Sequence, residues 1–212
     1  QVSSDFVEPN RAAKKRSAIA VKKLAEGKYQ FTMDKIYTGW IEASLKGKPG
    51  QEIRVSASSW PDKEEEFNQR NTVVLDESGK TIFCNRFTYH QVEYITISGI
   101  DYQPELTDIF GYQVTNDRAR IGDFECSNNL LNKIYNYTCY TYESLSTGGM
   151  TVDCPHRERL GYGGDGHGSL EIALDAFASH SFFTKWGQDW VDIQDKNGRI
   201  NHTAPTLGGG GG

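Results

Sequence analysis

No stretch of about 18 consecutive apolar residues occurs in this chain, so none of it is expected to cross a bilayer as a helix. Cysteine is sparse. Cys84, Cys126, Cys139 and Cys154 form no C-x-x-C pair and no other metal-ligand spacing, which argues against a zinc site. Free thiols are the default expectation, with a Cys126–Cys139 bridge left open. No Asp/Asn-rich loop has the spacing of a calcium site, so neither a metal nor a cofactor is expected. A G-x-S-x-G elbow is lacking, and the closing glycines Gly208–Gly212 are followed by no Gly-Lys-Ser/Thr. These absences leave out the common serine-hydrolase and phosphate-loop chemistries. Positive charge is also short: 23 Lys and Arg stand against 28 Asp and Glu, for a net charge of -5. A general nucleic-acid binder would show a basic patch, so no nucleic-acid partner is expected. The runs Lys14-Lys15-Arg16 and Lys22-Lys23 are diluted by apolar residues and read as a solvated face or linker. The chain starts at Gln1 rather than Met and ends in glycines, and both ends are expected to be cut. A localisation is therefore not assigned.

What is present divides near residue 122. In the first part Ile53, Val55 and Ala57 alternate with Arg54 and Ser56, the period of a strand with one buried face. Thr72–Leu75, the turn residues Asp76-Glu77-Ser78-Gly79, and Thr81–Phe83 predict a strand, a turn and a strand. Gln91–Ser98 is rich in β-branched and aromatic residues and predicts a central strand covered on both faces. Short strands with Gly punctuation predict an antiparallel sandwich. Residues 11–25 fit either a helix or an edge strand. In the second part Ser127 is the expected N-cap of a helix carrying Leu130, Ile134, Tyr137, Thr141 and Leu145 on one face, closed by Gly148-Gly149. A further helix is expected around Leu170, Leu174 and Phe177. Another is expected around Phe182, Phe183, Trp186, Trp190 and Ile193, with its aromatic stripe turned to the core.

Between these helices lies Asp153-Cys154-Pro155-His156-Arg157-Glu158-Arg159-Leu160-Gly161-Tyr162-Gly163-Gly164-Asp165. Pro155 and the glycines are expected to break regular structure, leaving a fixed loop whose acids, arginines and histidine converge on a small polar ligand. Paired carboxylates suit glycoside hydrolysis. One must be protonated to serve the leaving oxygen, another ionised to activate water or attack carbon. Glu158 stands between Arg157 and Arg159, and a guanidinium turned onto it would spoil it as an acid. If both arginines turn to other carboxylates, with Asp153 and Asp165 the natural partners, Glu158 is free for the pocket.

At these residues the chain resembles the bacterial α-L-rhamnosidases of glycoside hydrolase family 78, whose motif reads approximately D-C-P-Q-R-E-R-L-G-W-T-G-D. His156, Tyr162 and Gly163 replace the family's Gln, Trp and Thr. Phe124–Asn132 resembles the family's entry to its helical domain, and Asn85–His90 with Val92-Glu93-Tyr94 its preceding sandwich. Ala204-Pro205-Thr206 resembles a later loop. The resemblance implies a β-sandwich leading into an (α/α)6 barrel. Residues 1–122 would be the C-terminal part of an accessory sandwich, and 123–212 the first helices of a truncated catalytic barrel. It implies inverting hydrolysis of terminal α-L-rhamnose from a glycoside or polysaccharide. Glu158 would be the general acid, Asp153 and Asp165 would hold sugar hydroxyls, Tyr162 would pack on the sugar, and Arg157 and His156 would line the pocket. The family's general base is a glutamate expected beyond Gly212, so the chain alone is expected to be inactive. The alternatives are another (α/α)6 glycosidase or lyase, and a non-catalytic carbohydrate-binding protein.

Overall fold

The computed structural model describes residues 7–206 and residue 208. The chain forms two compact units: Ala12–Val114 is one, and Gln1–Arg11 with Thr115–Gly212 is the other.

The first unit is an antiparallel sheet. Its strands are β1 (Asn10–Ala25), β2 (Lys28–Lys46), β3 (Glu52–Ser58), β4 (Arg70–Val74), β5 (Lys80–Cys84), β6 (His90–Ser98) and β7 (Ile109–Asn116), with a short 3-10 turn at Leu106–Asp108. The strand order is β1-β7-β2-β6-β3-β4, with β5 paired to β2. The long strand β2 organises the unit. Its first half pairs with β1 and β6, and its second half with β7 and β5. Between Thr32 and Tyr37 its register to β6 shifts, which lets one strand serve two sets of neighbours. Gly39 sits where β2 meets both β6 and β7. A Cβ there would lie 1.9 Å from the Tyr112 carbonyl oxygen, so only glycine admits the approach.

Alternation puts Phe31, Met33, Ile41, Ala43 and Leu45 of β2, Ile53, Val55 and Ala57 of β3, and Val92, Ile95 and Ile97 of β6 into one core. The predicted central strand is β6, flanked by β2 and β3. Its Thr96 is buried too and accepts from the Gln30 amide at 3.2 Å. The turn at Asp76–Gly79 forms between β4 and β5, the Asp76 carboxylate accepting from the Ser78 N–H at 2.9 Å, but the two strands pair with β3 and β2 rather than with each other. Residues 11–25, open from sequence, lie in β1. It is an end strand of the sheet, mostly exposed, which leaves its lysines and arginines on the surface.

The second unit holds α1 (Asn129–Leu145), a minimal hairpin of β8 (Ser146–Thr147) and β9 (Met150–Thr151), α2 (Gly163–Ala176) and α3 (His180–Asp192). Two sequence expectations need correcting. Asn128, not Ser127, caps α1, its side chain accepting from Leu130 N–H at 3.0 Å. The helix ends at Leu145, and Gly148-Gly149 instead turns the hairpin, with φ values of 68° and 77°. The face of α1 read from the sequence points outward: Leu130, Ile134 and Tyr137 are 64%, 52% and 63% exposed. The buried positions are Cys139 and Tyr142, joined by Tyr135 and packed with Ala173, Ala176 and Phe177. Both stripes have helical spacing, and only the position of α2 selects between them. The aromatic stripe of α3 is core as expected: Phe182 and Trp186 are buried, with Phe183 and Trp190 against them.

Candidate active site

The acidic segment runs from the end of β9 to the start of α2. It is shaped by its own backbone. The Asp153 N–H donates to the Leu160 carbonyl at 3.1 Å, and the Leu160 N–H donates back to Asp153 Oδ1 at 3.0 Å. Within that closure the Arg159 N–H donates to the Cys154 carbonyl at 3.3 Å. Arg159 takes a left-handed φ of 57°, uncommon for a residue with a side chain. Pro155 is buried beneath the turn. The segment is then tied down. The Ala204 N–H donates to the Gly161 carbonyl at 3.1 Å, Tyr162 pairs with Thr203, and Trp186 Nε1 donates to the Ala204 carbonyl at 3.0 Å. A Cβ on Gly161 would stand 2.4 Å from the Ala204 oxygen.

The loop is shorter than the sequence implied. Gly163 and Gly164 open α2 rather than breaking structure, and Asp165 lies in the first turn of that helix. A carboxylate is favourable there because it faces unpaired N–H groups and the positive end of the helix dipole. Gly166 needs its missing Cβ, which would lie 2.6 Å from the Trp186 ring.

Three side chains meet at the centre. Cys154 Sγ lies 2.9 Å from Asp153 Oδ2 and 2.6 Å from Glu158 Oε2. The other oxygen of Glu158, Oε1, is 3.2 Å from one guanidinium nitrogen of Arg157. Glu158 thus faces Arg157 with Oε1 and the thiol with Oε2. Asp153 is partnered by the thiol and the Leu160 N–H. His156, Arg159, Tyr162 and Asp165 are half-buried, and Arg157 and Glu158 are exposed. The groove between α2 and α3, about 260 Å³ and lined by Gly163, Gly166, His167, Leu170, Trp186 and Trp190 among others, adjoins Asp165 in sequence.

The electrostatics separate the acids. Burial pushes the Asp153 carboxyl up. The Cys154 thiol, the N–H groups of Leu160 and Cys154, and Glu158 outweigh that, and the carboxyl titrates below its ordinary range. Asp165 moves the other way, raised by burial and then by the charge of Asp153. Burial together with hydrogen bonds to Asp153 and Glu158 pushes the Cys154 thiol up to about 12. Burial, then the charges of Asp153 and Glu158, raises Tyr162. Ligand atoms of Asp153, Cys154 and Glu158 lie within 4.8 Å of one another, close enough to gather round a cation. With the thiol protonated the same three groups form a hydrogen-bonded cluster instead. Cys154 is the member that sequence reasoning missed as part of the site. Its place one residue after Asp153 and four before Glu158 was the available signal, but it carried meaning only once the turn was known. All four cysteines are free, so the Cys126–Cys139 bridge does not form.

Two family models match consecutive parts of the chain. The bacterial alpha-L-rhamnosidase concanavalin-like domain covers residues 22–115, and the bacterial alpha-L-rhamnosidase 6 hairpin glycosidase domain covers residues 119–212. The chain is 28% identical to an alpha-L-rhamnosidase of Formosa agariphila over 78% of its own length and 19% of that protein's. It superposes on the alpha-L-rhamnosidase of Dictyoglumus thermophilum with a TM-score of 0.86 and 30% identity, over 95% of this chain and 24% of that one. The Streptomyces avermitilis alpha-L-rhamnosidase, solved with L-rhamnose, gives a TM-score of 0.87 at 24% identity, over 98% of this chain and 21% of that one, a likeness of fold. The chain spans about a fifth of the length of the curated relatives it matches. With two successive domain models on one chain, and the acidic segment inside the second, the chain belongs to the bacterial α-L-rhamnosidase family.

Proposed function

We propose that this chain carries the acid side of an inverting α-L-rhamnosidase site, with Glu158 as general acid. One observation carries the reading: Glu158 is hydrogen-bonded beside Asp153 through a shared thiol. An acid must bring a proton and release it to the glycosidic oxygen as the bond to the anomeric carbon breaks. Asp153, kept ionised, and Asp165, at the helix start, accept hydrogen bonds from hydroxyls of the terminal rhamnose. Tyr162 packs on the sugar face, with Arg157 and His156 lining the rest of the pocket. A water attacks the opposite face of the sugar, activated by a second carboxylate about 6.5–9.5 Å from the first. We assign that base to a part of the protein outside this chain. No metal or cofactor enters the scheme. The substrate class is a rhamnose-capped glycoside or polysaccharide, in keeping with relatives named alpha-L-rhamnosidase.

In the same reading residues 1–122 are the end of an accessory β-sandwich and residues 123–212 are the first helices of an (α/α)6 barrel. The apolar side chains that α1 turns outward support this, since a larger helical domain would cover them. The test is turnover of an aryl α-L-rhamnoside by the full-length protein. Glu158→Gln is expected to lower kcat by about 10²–10⁴-fold, the usual worth of a general acid. Undiminished turnover would remove Glu158 from the mechanism.

A further inference from the structure

We propose that Cys154 is a positioning residue for Glu158: its thiol takes Oε2 of the carboxyl and ties it to Asp153. The inference rests on the reading of Glu158 as the acid and adds a residue to it. Oε1 lies 3.2 Å from the Arg157 guanidinium. Oε2 faces Cys154 Sγ, 2.6 Å away. The same sulfur lies 2.9 Å from Asp153 Oδ2, and Asp153 is itself pinned by the Leu160 N–H at 3.0 Å. Glu158 thus inherits its orientation from a rigid backbone closure through one sulfur atom.

The proton count is consistent. A thiol has one hydrogen and a weak acceptor. With Glu158 protonated on Oε2, its O–H donates to sulfur and the S–H donates to the Asp153 carboxylate. When Glu158 gives its proton to the leaving oxygen, the S–H rotates to the Glu158 carboxylate, and Asp153 keeps its backbone donor. No electron transfer or co-reactant is needed. The thiol stays protonated throughout, since its environment opposes the thiolate.

A residue that acts through the acid should matter only when the acid matters. In the full-length protein, kcat is measured for a phenyl α-L-rhamnoside, whose leaving group needs a proton, and for a 2,4-dinitrophenyl α-L-rhamnoside, whose leaving group does not. Cys154→Ala is expected to lose about tenfold on the phenyl substrate, the scale of one hydrogen bond, and little on the dinitrophenyl one. Cys154→Ser, which keeps a donor, is expected to recover most of the loss. Cys154→Val, similar in volume but without a donor, stands in for Cys154→Ala if that variant does not fold. Equal losses on both substrates, or no loss on either, would overturn the positioning role while Glu158→Gln still discriminates between them. If Glu158→Gln does not discriminate, the acid reading falls and this inference with it.

Discussion

Asp165 bears a charge at the expense of stability. Its carboxyl is raised by burial and by the nearby Asp153, although it stands at a helix start that ordinarily favours a negative group. In the unfolded chain an Asp titrates near ~3.9. A raised folded value means the stabilising contribution is complete below that pH and is lost as pH rises through the folded value. At neutral pH the ionised Asp165 therefore weakens the fold. Asp165→Asn is expected to raise Tm at pH 7 by roughly 1–2 °C, small because the group is only half-buried, with the gain vanishing below about pH 4. Thermal unfolding across pH checks both the sign and the window. Asp153 has the opposite sign. Its carboxyl is held low, so its contribution is present above the unfolded value and is lost as pH falls through the folded one. Two carboxyls of one segment thus pull stability in opposite directions, as expected where environments are set apart for chemistry. The residue types were legible from the sequence; the directions were not, because they depend on which groups the folded turn brings near each carboxyl.

Among the elements, α3 matters to the site without supplying any of its acids. Trp186, buried in that helix, donates from Nε1 to the Ala204 carbonyl, whose own N–H holds the Gly161 carbonyl. The acidic segment is thereby anchored to α3 through an intervening loop. Trp186→Phe keeps most of the ring volume and removes the donor, leaving a buried carbonyl without its partner. That costs about 1–3 kcal/mol. The expected result is a fall in Tm of roughly 2–6 °C, read by calorimetry, with far-UV circular dichroism showing the secondary structure retained. A Tm within a degree of the parent's would show that the bond carries no weight. Arg118 braces the same unit, its guanidinium donating to Ser179 Oγ at 2.9 Å and lying 4.1 Å over the Phe182 ring. Sequence periodicity found α3 and its aromatic stripe. It could not find the anchor, because a tryptophan N–H and a carbonyl eighteen positions on have no spacing rule to link them.

At the scale of the whole molecule, α1 presents an apolar face to the outside. Its outward face carries Leu130, Leu131, Ile134 and Tyr137, all exposed. If α1 opens a larger barrel, as proposed, replacing Leu130 and Ile134 together by Glu has opposite effects in two settings. In the 212-residue chain the pair is expected to improve solubility and leave Tm nearly unchanged. In the full-length protein it is expected to cost several kcal/mol, because two charges would be buried without partners. Calorimetry on both forms decides, and an unchanged Tm in the longer protein would mean that the stripe is ordinary surface. By itself, the order of residues determined the change from a sheet to helices, most strand and helix positions, and the family likeness of the acidic segment. These rest on periodicity and on short-range motifs, which are local. Tertiary structure alone decided which stripe of α1 turns inward, that the glycines before Asp165 open a helix, and that a thiol joins Asp153 to Glu158. Each of those outcomes depends on groups brought together by packing. Competing local patterns of nearly equal merit are separated only by the neighbour that buries one of them.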